Sequence, residues 1–204
     1  MFEDLAILIV AIQAEYDRIC KLWDGEEISI NLKKKLVIDA RNNPDILNGI
    51  LKYRSIINDE MVNIIFNIQG LNYKNSSVIS RVKAQNSIEF KIDNYINNHE
   101  NGKIPLKKCF NDLLGIRIVI DKEFEHDDVD KYMQYEFSEY KCIDSSKDDY
   151  IASHIYFEKT NKHFPWELQV WQKRHEKNNY ASHKQYKQEY TKWEATNKGG
   201  VESD

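Results

Sequence analysis

Apolar residues near the start of the chain recur at the spacing of an α-helix. Leu5, Leu8, Ile9 and Ile12 follow one another at intervals of three and one residues, which predicts a helix over residues 2–23. This apolar run is too short to cross a bilayer, and it lacks the basic start and the small-residue cleavage site of a signal peptide. We therefore expect it to be the buried face of a helix in a protein without a membrane segment.

Two further helices are expected before residue 70. The first covers residues 28–41 and carries the basic triplet 33–35, and the second covers residues 44–68 between a proline and a glycine. Together, these elements make residues 1–70 a helical N-terminal region.

After residue 70 the pattern of apolar and polar positions changes to that of alternating strands and helices. The predicted strands cover residues 76–82, 113–120, 140–144, 153–159 and 164–171, and the predicted helices cover 85–98, 126–139 and 172–194. This order is typical of an α/β (α+β) fold, in which a mixed sheet is flanked by helices. Residues 71–194 form the expected core with its C-terminal helix, and residues 195–204 form the expected flexible tail.

Charge is unevenly distributed along the chain. The net charge of -4 and the pI near 5.9 argue against a general nucleic-acid coat protein. Acidic residues dominate the segment 121–149, whereas basic residues concentrate at 33–35, 81–91, 103–108 and 173–192. Such segregation favours an anionic substrate that binds on the basic side of the molecule.

The number and spacing of the cysteines favour a reducing compartment. Cys20, Cys109 and Cys142 are odd in number and widely spaced, and no CxxC pair occurs. This spacing suggests neither a zinc site nor a disulfide framework, so we expect reduced thiols in a cytoplasmic protein. The pair His126-Asp127 is interpreted as the polar start of a helix.

Two acidic residues accompany the predicted strands. Asp112 directly precedes the apolar strand 113–120, and Glu167 alternates with large apolar residues on the same strand face as Gln169. On neighbouring strands the two carboxylates would suit Mg²⁺, which favours one or two carboxylates together with substrate phosphates. The pattern fits equally well a structural Asp that pairs with Arg117, and an edge strand with a solvated polar face.

Cations follow the first predicted strand. Arg81 and Lys83 alternate on one face of that strand, while Ser87 and Lys91 lie four residues apart on one side of the next helix. They would form a cradle for a polyphosphate near a strand-to-helix turn. A solvated surface is the other interpretation.

One tyrosine and one histidine accompany a later strand. Tyr150 is placed at the entrance of the strand 153–159, and His154 lies within it. A loop tyrosine is able to stack on a base, whereas core filling is the alternative interpretation of the pair.

Five segments, in this order, resemble the RelA/SpoT family of synthetases. They are SRVKAQNSIEFKI, NDLLGIRIVI, YIASH, WELQVW and ASHKQYK, which lie within residues 76–188. The last segment is shorter than the corresponding family segment and lacks its glutamate. The resemblance is to small alarmone synthetases, including the toxic subgroup that pyrophosphorylates tRNA.

The resemblance implies a nucleotidyltransferase-like sheet and a Mg²⁺-dependent pyrophosphokinase, which transfers the pyrophosphate group of ATP to a ribose 3′-hydroxyl. It implies that Asp112 and Glu167 are catalytic, that Asp112 binds the metal, and that Glu167 binds the metal or activates the attacking hydroxyl. The implied ATP-binding residues are Arg81, Lys83, Ser87, Lys91 and Arg117, and the implied acceptor-binding residues are Tyr150, His154 and Gln169.

The chain departs from the family pattern near the acceptor. Asp149 replaces a glycine, Ile151 replaces a basic residue and Trp171 replaces an arginine. The acceptor is therefore left open between GDP or GTP, which would give (p)ppGpp, and the 3′ CCA end of tRNA, which would make the protein a translation-blocking toxin. The cations expected to contact tRNA are Lys33, Lys34, Lys35, Lys184 and Lys187.

The partners of the protein and its status as an enzyme depend on these departures. A toxin would require a neutralising antitoxin protein, while the oligomeric state is left open. A catalytically silent nucleotide-binding or sensor module is the alternative to an enzyme, because the departures remove cations that a small nucleotide acceptor would use.

Overall fold

The computed structural model describes residues 2–182. The N-terminal helices are α1 (Glu3–Asp24), α2 (Val37–Asn42), α3 (Pro44–Asp59) and α4 (Met61–Gln69). The first of them confirms the helix that the apolar spacing predicts. The predicted tail at 195–204 and the end of the final predicted helix lie outside the described residues.

The predicted helix over 28–41 is wrong for most of its length. Residues 32–35 form a turn, and α2 starts only at Val37. The backbone of this segment hydrogen-bonds to distant parts of the chain, since the Leu32 amide donates to the Asn161 carbonyl (2.7 Å) and the Leu106 amide donates to the Lys35 carbonyl (2.8 Å). These tertiary bonds replace the helical ones, so the basic triplet lies exposed on a turn.

The single helix predicted over 44–68 is two helices that meet at Glu60. The carboxylate of Glu60 accepts hydrogen bonds from Arg18 of α1 (2.7 Å) and from Asn63 (2.8 Å). The contact with Arg18 fixes the junction of α3 and α4 against α1. The sequence pattern alone does not distinguish this break from a continuous helix, because both halves keep helical periodicity.

The sheet confirms the predicted α/β class. Its strands are β1 (Ser76–Val82), β2 (Leu114–Ile120), β3 (Lys141–Asp144), β4 (Ser153–Phe157) and β5 (Trp166–Gln172). Their order is β1-β2-β5-β4-β3, with β2 and β5 parallel and every other neighbouring pair antiparallel. The remaining helices are α5 (Gln85–Asn98), α6 (Leu106–Cys109) and α7 (His126–Glu136), and a helical segment covers 176–182.

One face of the sheet forms the hydrophobic core with the N-terminal helices. Ile118, Leu168 and Ile155 from the three central strands are fully buried in the same cluster as Leu8 and Ile12 of α1. Because side chains alternate along a strand, the opposite face of the same strands carries the polar residues. None of the described helices has both the length and the apolar character that spanning a membrane requires.

Candidate active site

The polar face of the sheet places the predicted site residues in two cross-strand rows. In the first row the register aligns Arg81, Gly115, Glu167 and Tyr156 across β1, β2, β5 and β4. In the second row it aligns Ile79, Arg117, Gln169 and His154 across the same strands. Directly opposite residues lie close enough for their side chains to interact. Strand pairing therefore brings together residues that are far apart in the sequence.

Asp112 lies just before the start of β2 and forms ion pairs with two lysines. Its Oδ2 contacts the Lys83 Nζ at 2.5 Å, and its Oδ1 contacts the Lys91 Nζ at 3.0 Å. The backbone amide of Lys83 donates to the Leu113 carbonyl, which extends the pairing of β1 with the chain beyond the strand ends. Lys91 comes from α5, between the buried Ile88 and Ile92.

This cluster is largely shielded from water. The exposed fractions of the side chains are 18% for Asp112, 9% for Lys83 and 12% for Lys91. Burial alone would raise the pKa of Asp112, but the ammonium groups of Lys91 and Lys83 outweigh burial and hold this pKa well below its usual range. Asp112 is therefore a carboxylate at neutral pH.

The two lysines respond differently to the shared carboxylate. Burial lowers the pKa of Lys83, and the attraction of Asp112 does not fully offset it, partly because Lys91 lies nearby. For Lys91, burial also favours the neutral form, but Asp112 outweighs it and raises the pKa. We conclude that Lys91 is the more firmly charged partner of Asp112.

Glu167 is held by three neighbours on β4 and β5. Its Oε2 accepts a hydrogen bond from the Tyr156 hydroxyl (3.1 Å) and lies 3.2 Å from the His154 Nδ1, while its Oε1 accepts from the Gln169 amide (2.7 Å). Burial would raise the pKa of Glu167, but His154 and the Gln169 amide outweigh burial and lower it. The charge of Asp112 opposes this lowering, as expected for two carboxylates that share one site.

Arg117 is linked to Glu167 through Gln169 and stacks against an aromatic cluster. Its Nε and one terminal nitrogen donate to the Gln169 Oε1 at 3.1 and 2.9 Å. Its guanidinium carbon lies 3.5 Å from the centre of the Trp171 ring, a stacking arrangement that suits a planar cation. The Tyr180 ring, from the segment 176–182, lies 5.1 Å from the guanidinium carbon and 5.2 Å from the Trp171 ring.

Gly115 leaves open space at the centre of the polar face. It pairs with Arg81 on one side and with Glu167 on the other. A Cβ built on Gly115 would meet no atom within 4 Å. A substrate group is therefore able to approach the sheet at this point between a cation and a carboxylate.

Tyr150 lies in a tight turn at the rim of the polar face. The backbones of Lys147 and Tyr150 exchange two hydrogen bonds (2.8 and 3.0 Å), and Asp148 between them has a φ of 53°. The Tyr150 hydroxyl lies 2.9 Å from the His154 Nε2 and accepts from the Trp171 indole at 3.3 Å. Burial, more than any neighbouring group, raises the pKa of Tyr150 to about 12.

The remaining predicted residues lie outside this network of contacts. Arg81 is exposed on β1, and Ser87 is half-buried one helical turn before Lys91 on α5. Lys33, Lys34 and Lys35 are exposed on their turn. The predicted RNA contacts Lys184 and Lys187 lie outside the described residues.

Some residues that contact the site were not predicted from the sequence. Tyr156 donates to Glu167, and its spacing of two residues from His154 on one strand was a usable signal. Arg54 of α3 donates to the Lys83 carbonyl at 3.0 Å. The fully buried Asn179 exchanges two hydrogen bonds (2.9 and 2.8 Å) with the backbone of Ile151. No local sequence pattern predicts the contact of Arg54 with Lys83 or that of Asn179 with Ile151.

The donor set of the polar face fits a magnesium ion. Mg²⁺ prefers oxygen ligands, and it binds one or two carboxylates jointly with substrate phosphates. Asp112 and Glu167 supply such oxygens, and both are ionised because their pKa values are lowered. Each carboxylate oxygen keeps lone-pair capacity beyond its present partners. These residues would therefore be able to hold the ion next to the open space at Gly115.

Comparison with known proteins gives similarity to solved structures alone. No family model and no curated protein matches the chain. Small alarmone synthetase 2 from Bacillus subtilis is 18% identical, with 71% of this chain and 81% of that chain covered and a TM-score of 0.40. Small alarmone synthetase 1 from Bacillus subtilis bound to its product pppGpp is 16% identical, with 74% and 83% covered and a TM-score of 0.40.

A second structure of the Bacillus subtilis small alarmone synthetase 1 is similar to the same extent. It is 19% identical, with 69% of this chain and 76% of that chain covered and a TM-score of 0.39. These neighbours are of the kind that the sequence motifs resemble. At these TM-scores no activity and no residue role passes to this chain, so its chemistry rests on its own side chains.

Proposed function

We propose that the protein is a Mg²⁺-dependent pyrophosphokinase that transfers the pyrophosphate group of ATP to a ribose 3′-hydroxyl. The observation that carries this proposal is the cluster on the polar face, where the ionised Asp112 pairs with Lys83 and Lys91 and the ionised Glu167 lies in the same cross-strand row as Arg81. Cations near carboxylates that suit Mg²⁺ match the charge of a polyphosphate substrate. The motifs quoted above favour the same reaction.

The proposed reaction needs alignment and charge neutralisation more than covalent chemistry. The ribose 3′-oxygen attacks the β-phosphorus of ATP and forms a new oxygen–phosphorus bond. The bond from that phosphorus to the oxygen bridging to the α-phosphate breaks, and its electron pair leaves with AMP. The hydroxyl proton passes to a base or to solvent. Fixed cations beside the transferred group would stabilise the charge that develops.

The residues of the polar face divide into donor-binding groups and metal ligands. Asp112 and Glu167 would hold Mg²⁺, which supplies charge neutralisation at the phosphates when it is bound. Arg81, Lys83 and Lys91 would contact the phosphates, with Arg117 behind them and Ser87 as a hydroxyl donor. Each lysine keeps N–H donors beyond the one that contacts Asp112.

The lowered pKa of Glu167 favours a ligand role over a base role. A general base acts best when its pKa lies near the working pH, whereas a metal ligand must be ionised. His154 and Gln169 hold the Glu167 pKa below its usual value, which weakens it as a proton acceptor. Of the two roles that the family resemblance implies, we therefore propose that Glu167 binds the metal and orients the reacting groups.

The acceptor is either a guanine nucleotide or the 3′ end of tRNA. Ile151 and Trp171 have uncharged side chains, so neither of these side chains offers a cation to the 5′-phosphates of a small nucleotide. The deciding experiment supplies γ-labelled ATP with GDP, GTP and deacylated tRNA in parallel. We expect label in one class of acceptor, and no labelled product from any of them would contradict the proposed activity.

Tyr150→Ala is expected to impair use of the acceptor more than use of ATP. Stacking of a base on a tyrosine contributes about 1–3 kcal/mol, so the KM for the acceptor should rise by about tenfold. Tyr150→Phe is the matched control, because it keeps the ring and removes only the hydroxyl that contacts His154. Steady-state kinetics with each substrate varied would show this split.

Two outcomes would contradict the stacking role of Tyr150. Unchanged acceptor kinetics in Tyr150→Ala would show that the ring does not contact the acceptor. An equal loss in Tyr150→Phe and Tyr150→Ala would assign the effect to the hydroxyl and its contact with His154.

A silent nucleotide-binding module is the second candidate function. It is favoured by the observation that both carboxylates of the polar face already have protein partners at each oxygen. A site satisfied in this way would stabilise a binding protein as well as an enzyme. Saturable ATP binding by calorimetry, with no AMP formed in the presence of any acceptor, would favour this candidate.

The setting of the activity also stays a prediction. All three cysteines are free thiols, two of them buried. We place the protein in the cytoplasm, where ATP, guanine nucleotides and tRNA occur. A neutralising antitoxin is expected only if tRNA proves to be the acceptor.

A further inference from the structure

A second cluster of ligand-type side chains lies between α7 and β3. His126 and Asp130 are one helical turn apart on α7, and Cys142 lies on β3, against which α7 packs. One ligand atom from each of the three residues lies within 4.8 Å of the other two. None of the three takes part in the proposed pyrophosphate transfer.

We propose that His126, Asp130 and Cys142 form a binding site for a divalent transition-metal ion of the zinc type. Imidazole nitrogen, carboxylate oxygen and thiolate sulfur are the ligands that Zn²⁺ takes in proteins, whereas Mg²⁺ and Ca²⁺ select oxygens alone. Ligand atoms around a tetrahedral Zn²⁺ lie about 3.5 Å apart, so rotamer shifts of about 1 Å would bring the three atoms into place.

The neighbours of two of these ligands already orient them. The His126 Nδ1 lies 2.7 Å from the hydroxyl of Ser153, a residue that is only 3% exposed. This contact holds the imidazole ring in place, in the way that outer hydrogen bonds fix metal-binding histidines. The Oδ2 of Asp130 accepts a hydrogen bond from the Gln134 side-chain amide at 2.6 Å, which leaves the Oδ1 of Asp130 to bind a metal.

The thiol determines which cations are suitable. Burial, assisted by the charge of Asp130, raises the pKa of Cys142 to about 12, so this sulfur is protonated when no cation is bound. A bound metal has to displace that proton, and soft or borderline cations with strong sulfur affinity do so at neutral pH. The same cation would also remove the repulsion between a Cys142 thiolate and the Asp130 carboxylate.

The expected role of this site is structural. A metal ion bound by α7 and β3 would tie the helix to the β3–β4 edge of the sheet, and β4 carries both Ser153 and His154. Because a ligand that binds only the folded state stabilises it, Zn²⁺ should raise the unfolding temperature. The spacing of the cysteines did not indicate this site, since only one of its three proposed ligands is a cysteine.

Co²⁺ serves as the probe, because a cobalt–thiolate bond gives a charge-transfer absorption band in the near ultraviolet. The full untagged chain, stripped with a chelator, is titrated with Co²⁺ and then with Zn²⁺. We expect one Co²⁺ per chain, the thiolate band, and displacement by Zn²⁺. Cys142→Ser should abolish the band, and Asp130→Asn should weaken binding by about tenfold or more.

Asp127→Asn is the matched control, since Asp127 is an exposed carboxylate on the same turn of α7. It should keep the band and the affinity, with circular dichroism confirming that every variant is folded. Absence of the thiolate band in the unaltered protein would overturn the proposal. Survival of the band in Cys142→Ser would also overturn it, because Cys20 or Cys109 would then be the ligand. Neither result bears on pyrophosphate transfer.

Discussion

Glu167→Gln is expected to reduce pyrophosphate transfer by about a thousandfold while leaving the fold intact. The substitution keeps the size of the side chain and an oxygen that is able to accept from Tyr156 or Gln169. It removes the negative charge that would hold Mg²⁺, and losing a charge preorganised for the transition state costs about two to three powers of ten in rate. Initial rates of AMP formation, with thermal unfolding measured in parallel, test this expectation.

Glu158→Gln is the control for this substitution. Glu158 is exposed just beyond the end of β4 and pairs with Lys107 at 2.8 Å, away from the polar face. Its replacement should leave the rate unchanged. Normal turnover in Glu167→Gln would contradict the role assigned to Glu167, and unfolding of that variant would show a structural role instead.

Asp112→Asn is expected to abolish transfer and also to destabilise the protein. Two ammonium groups, from Lys83 and Lys91, would lose their shared counter-charge in a shielded position. Removing one partner of a buried ion pair costs about 3–5 kcal/mol, so the free energy of unfolding should fall by about 3 kcal/mol near pH 7. Urea unfolding and initial rates measure the two effects separately.

The stability effect of Asp112 should depend on pH in a definite direction. Its pKa in the folded protein is lowered, so the ionised form stabilises the fold above the unfolded pKa of about 4. As the pH falls below about 4 this contribution is progressively lost, and the difference between the protein and Asp112→Asn should shrink. Asp121→Asn, an exposed change at the other end of β2, should show no such difference.

A difference in unfolding free energy that stays constant from pH 7 to about pH 3 would contradict this account. It would mean that the cost of Asp112→Asn comes from packing and not from the ion pairs with Lys83 and Lys91. Full activity in a folded Asp112→Asn protein would remove Asp112 from the proposed metal site.

Local sequence patterns correctly predicted elements such as β1 and α5. The predicted ranges of β1 and α5 agree with the structure at both ends, because apolar alternation and helical periodicity are strong there. The segment 28–36 could not be predicted in this way, since its backbone hydrogen bonds go to Asn161, Leu106 and Lys107. The division of the chain into residues 1–70 and 71–194 stays a prediction.

The same limit applies to the candidate site. The alternation of Glu167 with Gln169 placed both on one strand face, and the register of β2 with β5 put Arg117 beside them. Lys83 and Lys91 both contact the Asp112 carboxylate because of the way α5 packs. The spacing of residues in the sequence does not predict this packing. The hydrogen bonds between the Asn179 side chain and the Ile151 backbone likewise join residues far apart in the chain.

The central claim is transfer of pyrophosphate, and the fate of the α-phosphate tests it most directly. ATP labelled at both the α- and γ-phosphates is incubated with Mg²⁺, the protein and the acceptor that takes up label. Attack at the β-phosphorus predicts γ-label in the acceptor and an equal amount of α-label in AMP. Appearance of the α-label in ADP, or of AMP without a labelled acceptor, would contradict the account.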